Sequence, residues 1–416
     1  MIASRTGSKR HPAVAFLFDG KVTNPLDADH NKAYYISQEL ISRGVGVCWL
    51  QIGEGAKGSY DGITLEVIPS YRLKLAGDLE LSARIASFCR TRGISCLYLD
   101  EWFFFRGRLP KQVFLLSMFR CFSLATVLDR RDPYVEFAVS TGKIRPNTWR
   151  YSVAWVLERA MLDLVGLIVL PSEAYAETVA REGNHKDKLL GVFRGVDEGY
   201  FNPKADGTRI RASLKLNGRF VIGWFGMMQP YRQIREVLIP LAKNSRAITS
   251  NAFVLIGGKG SEKKYLNQMM AEKDAVECLV ISFIPHQDLP QYIAACDVLL
   301  CPIDTRFKFT QNTAWQKIVE SIAVGRPVVA TKSRISEFDF KCLKGVLWTG
   351  PDIDSFVKSI TNVLANYPYF SSLALEQAKN IEQYSVHHGV ARIADAVTRL
   401  IDERTGRPGA SDFKQA

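Results

Sequence analysis

The segment from Phe309 to Ala330 combines a lysine, a glutamate and the start of a helix. We predict one helix from about Gln311 to Val324, ended by Gly325. Lys317 and Glu320 are three residues apart, so this helix presents both on one face. A helix N-terminus and a lysine suit a phosphate, and a carboxylate accepts hydrogen bonds from sugar hydroxyls. The alternative, which the spacing alone favours, is an exposed helical salt pair.

Two arginines follow an apolar segment over residues 220–225. Gly226 begins the turn after this segment, and Arg232 and Arg235 stand near the start of the next predicted helix. A guanidinium group suits a diphosphate because it donates a rigid fork of hydrogen bonds. The alternative is a pair of solvated arginines on a helix surface.

Metal-ligand patterns in the sequence are weak. Two Asp-x-Asp triplets, residues 27–29 and 352–354, each precede a predicted helix, and helix capping explains both better than cation binding. The eight cysteines include no Cys-x-x-Cys pair and are interpreted as buried thiols. We therefore predict no metal site and no cofactor.

Short apolar segments alternate with amphipathic helices along the whole chain, which predicts parallel sheets built from βαβ units. The predicted strands lie near residues 13–18, 45–51, 63–68, 96–99, 124–128, 167–170 and 189–192, and then near 220–225, 253–256, 276–281, 298–301, 328–330 and 346–348. We predict an α/β fold of two Rossmann-like doubly wound domains that face a central cleft. Ligands of open parallel sheets bind at the carboxyl ends of the strands, so the site is expected in that cleft.

Composition and charge limit the class of protein. The chain has 416 residues, of which 47% are hydrophobic and 23% charged, so a disordered tail and a small disulfide scaffold are excluded. We found no apolar run long enough for a membrane-spanning helix and no secretory signal, and we expect a cytoplasmic protein.

Half of the net charge of +12 lies between residues 102 and 159, where ten Lys and Arg face four acidic residues. Aromatic residues alternate with cations between Trp102 and Phe122. This pattern predicts peripheral contact with an anionic membrane surface, on the inner face of the membrane. An equal alternative is that these phenylalanines belong to the core.

Five segments in order resemble the retaining glycosyltransferases of the GT-B fold, family four. They are residues 191–203, 223–233, 254–260, 289–302 and 317–329. The resemblance implies an acceptor-side domain over residues 1–203, a domain that binds the nucleotide sugar over residues 204–383, and a helix and tail over residues 384–416 that cross back to the first domain.

The resemblance also implies roles for individual residues. Glu320 would bind the ribose hydroxyls of the donor, and Arg232 and Lys317 its diphosphate. The donor site would be completed by Gly226, Arg235, Ile284, His286, Asn312 and Thr313. Asp100 and Asp129 occupy strand ends where the family has histidines and complete the predicted catalytic set. Asn312 stands where the family has a glutamate, and Met227 where it has an arginine.

We therefore expect a metal-independent retaining hexosyltransferase that moves a sugar from a nucleoside diphosphate to a hydroxyl of a glycan or a lipid-linked glycan. The second hypothesis is a catalytically inactive GT-B module that binds a sugar nucleotide or a partner. Nucleic-acid binding is supported by charge alone, and an NAD-dependent oxidoreductase lacks the expected glycine pattern after the first strand.

Overall fold

The computed structural model describes residues 12–19, 21–22, 30–53, 55–69, 76–100, 109–130, 133–183, 185–271 and 277–405. Its strands are β1 Pro12–Asp19, β2 Gly46–Ile52, β3 Gly58–Tyr60, β4 Ile63–Ile68, β5 Cys96–Asp100, β6 Ala125–Asp129, β7 Leu167–Leu170, β8 Leu189–Gly191, β9 Phe220–Met227, β10 Ala252–Lys259, β11 Cys278–Ile281, β12 Val298–Cys301, β13 Val328–Thr331 and β14 Val346–Thr349.

The α-helices are α1 Asn31–Ser42, α2 Ala76–Arg92, α3 Leu109–Cys121, α4 Tyr134–Ser140, α5 Trp149–Leu164, α6 Glu173–Glu182, α7 Thr208–Ser213, α8 Ile239–Lys243, α9 Lys263–Ala271, α10 Leu289–Ala294, α11 Lys308–Asn312, α12 Gln316–Ala323, α13 Ile353–Ala365, α14 Tyr367–Lys379 and α15 Val386–Thr405. Along this described part of the chain, no helix is both long enough and apolar enough to span a bilayer.

The strands form two sheets. The first has the order β3-β4-β2-β1-β5-β6-β7-β8 and the second the order β11-β10-β9-β12-β13-β14. All neighbouring strands are parallel except the antiparallel pair β3 and β4. Strands such as β5, β6, β12 and β13 are buried throughout, which explains why their sequences are continuous apolar runs. The predicted pair of Rossmann-like domains is confirmed.

The short strand β3 was not predicted. Gly58 and Ser59 are exposed, so the segment lacks the apolar alternation that marks a strand. Six of the eight cysteines are buried as expected, but Cys121 and Cys342 are exposed.

The chain returns to the first domain at its end, as predicted. Helix α15 packs on α1 and on the first sheet, where Ile393 and Val397 are fully buried. A bridge between Val196 and Ser385 starts this return. Gly195 has a φ of 83°, and a Cβ there would lie 2.2 Å from the Ser385 carbonyl oxygen, so only glycine fits.

The first sheet ends at Gly191 and the second begins at Phe220, on either side of the predicted domain boundary at residue 203. The boundary itself stays a prediction. Phe201, two residues before this boundary, is fully buried in the core of the second domain.

Candidate functional site

The carboxyl edge of the second sheet is built by close backbone contacts. Strands β9 and β10 pair up to Lys259 and Met227. Gly258 has a φ of 152°, and a Cβ at this position would lie 1.9 Å from the Gly226 carbonyl oxygen. Gly226 thus faces Gly258 near the end of β10, and a side chain is excluded at Gly258. Met227, where the family has an arginine, is exposed at this edge.

Arg232 follows β9 at this edge, in the short 3-10 turn Pro230–Arg232. Its guanidinium carbon lies 3.9 Å from the centre of the Trp315 ring and 5.6 Å from that of Tyr231. The Arg232 Nε atom is buried and has no hydrogen-bond partner among the described residues. The stacking fixes the guanidinium plane and leaves its donors for another molecule.

The helix expected after this turn is interrupted. Gln233 adopts the left-handed conformation with a φ of 50°, and a π-helical turn, Ile234–Leu238, leads into α8. Arg235 lies in this turn and is exposed, and its Nε donates to Glu262 at 2.8 Å. It therefore contacts the loop after β10 rather than Arg232.

The single helix predicted from Gln311 to Val324 is wrong. The structure has two helices, α11 and α12, separated by the extended residues Thr313 and Trp315. The indole N–H of Trp315 donates to the Thr310 carbonyl oxygen at 3.2 Å, which replaces a backbone bond of a continuous helix. The helix N-terminus near the cleft consequently lies at residue 316.

Helix α12 carries the predicted lysine and glutamate. The Lys317 Nζ lies 2.7 Å from the Glu320 Oε2, so the salt pair exists. It is not the exposed pair of the alternative interpretation, because Glu320 is only 2% exposed. Trp315, the N-cap residue of α12, makes no side-chain cap bond, so the N–H groups of Gln316 and Lys317 can serve an anion.

Arg232 and Lys317 lie on the same side of the second domain. Burial raises the pKa of the Cys301 thiol to about 11, and the nearby charges of Arg232 and Lys317 both oppose that rise. Cys301 ends β12, which pairs with β9, the strand before Arg232, and contacts α12, the helix of Lys317. The structure thus brings together Arg232, Lys317 and Glu320 at the carboxyl edge of one sheet.

Ile284 and His286, which were predicted to complete the donor site, lie next to this group. The pKa of His286 is lowered mainly by desolvation, while the Glu320 carboxylate opposes the shift and the Lys317 and Arg194 cations add to it. His286 therefore lies near charged groups of both α12 and the first domain. Ile284 packs over Gly257, where a Cβ would lie 2.7 Å from its Cδ1.

The first domain contributes polar residues after β8 to the opposite side. Asp197 accepts a hydrogen bond from Tyr35, and Arg194 donates to Asn31. The side-chain amide of Gln316, at the start of α12, donates to the Gly195 carbonyl oxygen. The first turn of α12 therefore faces this loop across the cleft.

Asp100 and Asp129 lie side by side at the ends of β5 and β6 and are buried. The Asp129 carboxylate accepts from the Lys32 ammonium at 2.7 Å and from the Tyr98 hydroxyl at 2.7 Å. A carboxylate with these partners is held in place inside the domain. Its predicted contact with substrate stays a prediction.

Asn312 joins the two domains. Its Oδ1 accepts from the Thr178 hydroxyl at 2.9 Å, its Nδ2 donates to the Lys308 carbonyl oxygen at 2.7 Å, and its own carbonyl oxygen accepts from Ser172. These bonds use the amide that was expected to take part in the donor site. The hydroxyl of Thr313 is buried and has no partner among the described residues.

The Asp-x-Asp triplet over residues 352–354 is a helix cap, as predicted, since the Asp352 carboxylate accepts from the Ser355 N–H at 2.8 Å. The other triplet, residues 27–29, lies outside the described residues. Within the described ranges, no group of three or more His, Cys, Asp or Glu residues is placed to hold a metal ion.

Sequence reasoning missed Trp315, Arg194, Asp197 and Lys32. Trp315 lies two residues before Lys317. The signal that could have identified it is its position as an aromatic residue between two polar segments. Arg194 and Asp197 fall inside residues 191–203, the first segment that resembles the family, but only the fold shows that they lie near His286. Lys32 carried no signal of its own.

Comparison with known proteins finds one family model that matches part of the second domain. Residues 219–366 match the family model described as Glycosyl transferases group 1. No curated protein matches the chain in sequence.

Solved structures with the same fold include sucrose-phosphate synthase from Thermosynechococcus elongatus, at a TM-score of 0.70 and 14% identity over 95% of this chain and 100% of that one. HepE from Anabaena in complex with UDP-glucose gives a TM-score of 0.65 at 17% identity, over 92% and 99% of the two chains. The catalytic domain of starch synthase IV from Arabidopsis thaliana, bound to ADP and acarbose, gives 0.66 at 11% identity, over 94% and 100%.

Residues 219–366 thus match the glycosyl transferases group 1 family model, and the whole chain has the GT-B fold. The resemblance inferred from the sequence is confirmed, and family four is consistent with it.

Proposed function

We propose that this chain transfers a hexose from a nucleoside-diphosphate sugar to a hydroxyl of a glycan or a lipid-linked glycan, with retention of configuration. The grouping of Arg232, Lys317 and Glu320 at one sheet edge supports this proposal most strongly. Similar solved structures that hold UDP-glucose or ADP support a nucleotide donor.

In this proposal the donor binds to the second domain. The Glu320 carboxylate accepts hydrogen bonds from the ribose, and the Arg232 guanidinium binds the diphosphate. Ile284 and His286 border the base, and Gly226 leaves room for the phosphates. Departure of the diphosphate builds negative charge, which Arg232, Lys317 and the first turn of α12 stabilise.

These cations would stabilise the negative charge of the departing diphosphate, as a divalent ion does in other transferases. We therefore propose a metal-independent reaction. The 3-10 turn at Pro230–Arg232 is too short to add a second helix terminus, so this contribution rests on α12 alone. Asp129 acts as a positioning residue for Lys32 in this scheme.

The acceptor would enter from the first domain, past Arg194 and Asp197. Closure of the two domains would exclude water and limit hydrolysis of the donor. An anionic membrane is the proposed source of a lipid-linked acceptor.

An inactive sugar-nucleotide-binding module is the second candidate, because the Asn312 amide is bound to Thr178 and not to the cleft. Incubation with a panel of UDP, ADP and GDP sugars, with and without lipid extract, separates the two. We expect one donor to raise the melting temperature and to release its diphosphate in the presence of acceptor. A donor that stabilises the protein without any release or transfer would identify the inactive module.

A further inference from the structure

An exposed apolar ridge runs along one face of α5. Trp149 is 72% exposed, Val153 46% and Val156 68%. Their spacing of four and three residues places them in one row on the helix surface. The opposite face, with Ala154 and Met161, is buried. The helix therefore presents apolar side chains to both sides, and the outer row has no covering element among the described residues.

Positive charge flanks this ridge. Lys143, Arg145 and Arg150 are exposed, and none of them has an ion-pair partner in the described structure. The Arg150 guanidinium lies 5.6 Å from the centre of the Trp149 ring. Between residues 141 and 157 the sequence contains neither Asp nor Glu. The surface around the ridge is consequently cationic.

The ridge stands at the cleft edge of the first domain. Glu158 of α5 accepts from the N–H groups of Tyr134 and Val135, which begin α4 five residues after the carboxyl end of β6. Helix α5 then leads down to β7. The nine residues before Glu158 span about 14 Å, so the half of α5 with Trp149 extends beyond the carboxyl edge of the sheet.

Helix α4, on which α5 packs, touches the second domain. The Phe137 ring centre lies 6.3 Å from that of Tyr231 and 6.3 Å from that of Phe309. Tyr231 precedes Arg232 of the proposed donor site. The ridge and the proposed site therefore lie on the same side of the molecule.

A narrow apolar row bordered by cations matches the surface of an anionic bilayer better than a protein groove. Tryptophan prefers the level of the lipid headgroups, and Lys and Arg are attracted to anionic lipids. The aromatic run predicted from the sequence fits less well. Phe119 is fully buried, and Lys111 is paired with Asp78 at 2.8 Å. Residues 101–108 lie outside the described residues.

We propose that the ridge of Trp149, Val153 and Val156, with the cations Lys143, Arg145 and Arg150, docks on an anionic phospholipid bilayer. Docking in this orientation brings the cleft to the membrane surface, where a lipid-linked acceptor would be held. The inference deepens the proposed function by naming the surface that meets the acceptor. Docking itself does not require transfer.

Flotation of the full chain with vesicles of phosphatidylcholine, with and without phosphatidylglycerol, tests this. We expect binding only to the anionic vesicles. The triple variant Lys143→Ala/Arg145→Ala/Arg150→Ala should bind about 100-fold more weakly. Val156→Asp should weaken binding at least about tenfold, because it places a charge in the apolar row.

Controls of the same type lie elsewhere on the surface. Tyr369→Ala removes another large exposed side chain, and Lys204→Ala/Arg209→Ala/Lys341→Ala removes three other exposed cations. Both should bind like the wild type. In vesicles with brominated lipid, Trp149→Phe should still bind but lose part of the tryptophan quenching.

Absence of binding to anionic vesicles overturns the inference. An equal loss of vesicle binding in the ridge variants and in the control variants overturns it too. Self-association through the ridge, seen by ultracentrifugation without vesicle binding, overturns it as well. Docking and diphosphate release are measured separately. Loss of docking with release intact defeats this inference alone, while docking without any release defeats the proposed function alone.

Discussion

Arg232 depends on an aromatic neighbour that is distant in sequence. The 3.9 Å stacking on Trp315 joins the turn after β9 to the start of α12. A planar guanidinium held on a ring presents its N–H donors in a fixed direction, which a flexible ammonium does not. We therefore expect a lysine at this position to be a poor replacement, although the charge is kept.

Arg232→Lys should lower kcat/KM for the nucleotide sugar by about 10-fold to 100-fold, because the stacked fork is lost. Steady-state kinetics of diphosphate release measures this. Arg219→Lys is the control, since Arg219 also lies over an aromatic ring, Phe253 at 5.3 Å, but at the opposite edge of the same sheet. Equal kcat/KM values for Arg232→Lys and the wild type would show that the paired guanidinium donors do not bind the diphosphate.

Glu320 is buried and bound to Lys317, so its free oxygen positions can serve a ligand in a fixed geometry. Its proposed role is recognition of the ribose hydroxyls, and this role predicts how the affinity depends on the ligand. The affinity should depend on whether those hydroxyls are present.

Wild-type protein should bind the ribonucleoside diphosphate at least about tenfold more tightly than its 2′,3′-dideoxy analogue, and Glu320→Gln should reduce this difference. Titration with both nucleotides measures it. Glu376→Gln is the control, because Glu376 forms a similar pair with Lys344 at 2.8 Å on the exposed face of α14. An unchanged preference in Glu320→Gln would contradict the ribose role.

At the scale of elements, the sequence predicted the alternation of strands and helices because apolar runs and their spacing are local properties. The division between α11 and α12 was not predictable in this way. It depends on the bond from the Trp315 indole to the Thr310 carbonyl oxygen and on contacts of Asn312 with the other domain. Such contacts between residues far apart in the chain leave no periodic signal.

The contact between α6 and α11 should be measurable as a coupling free energy between Asn312 and Thr178. Asn312→Ala and Thr178→Val each remove one side of the 2.9 Å bond between the domains. Each change should lower the free energy of unfolding by about 1 kcal/mol, and the double variant should lose less than the sum of the two. Chemical denaturation of the four proteins measures this coupling. Additive losses would show that the bond contributes nothing.

At the scale of the whole molecule, the second domain caps a helix of the first. The Asp339 carboxylate accepts from the N–H groups of Glu173 and Ala174, at 2.7 Å and 3.1 Å, at the start of α6. Arg334 donates to Thr178 at 2.6 Å on the same helix. The crossing helix α15 adds a third connection. The GT-B arrangement could be predicted from motif order, but these particular contacts depend on tertiary structure.

The Asp339 cap should depend on pH. Burial raises the pKa of Asp339 above its ordinary value, so the native state keeps its proton to a higher pH than the unfolded chain does. The stability contributed by this group is complete below about pH 4 and falls as the pH rises through the native pKa. The difference in melting temperature between the wild type and Asp339→Asn should therefore decrease with rising pH.

The stability that Asp352 contributes depends on pH in the opposite direction. Its bonds from the Ser355 hydroxyl and N–H lower the pKa of Asp352, so its contribution is present above about pH 4 and is lost in acid. The melting-temperature difference for Asp352→Asn should increase with pH. The same direction of change in both variants would contradict this interpretation of the two caps.

The central claim is that Arg232 and Glu320 together hold a nucleoside diphosphate in the cleft. Titration calorimetry of the wild type with UDP, ADP and GDP, and of the folded variant Arg232→Gln/Glu320→Gln, tests it most directly. We predict that at least one of the three binds and that the double variant weakens its Kd by about 100-fold or more, while Arg219→Gln/Glu376→Gln binds like the wild type. Equal affinity in the wild type and the Arg232→Gln/Glu320→Gln variant, or no binding of any diphosphate, would contradict the claim.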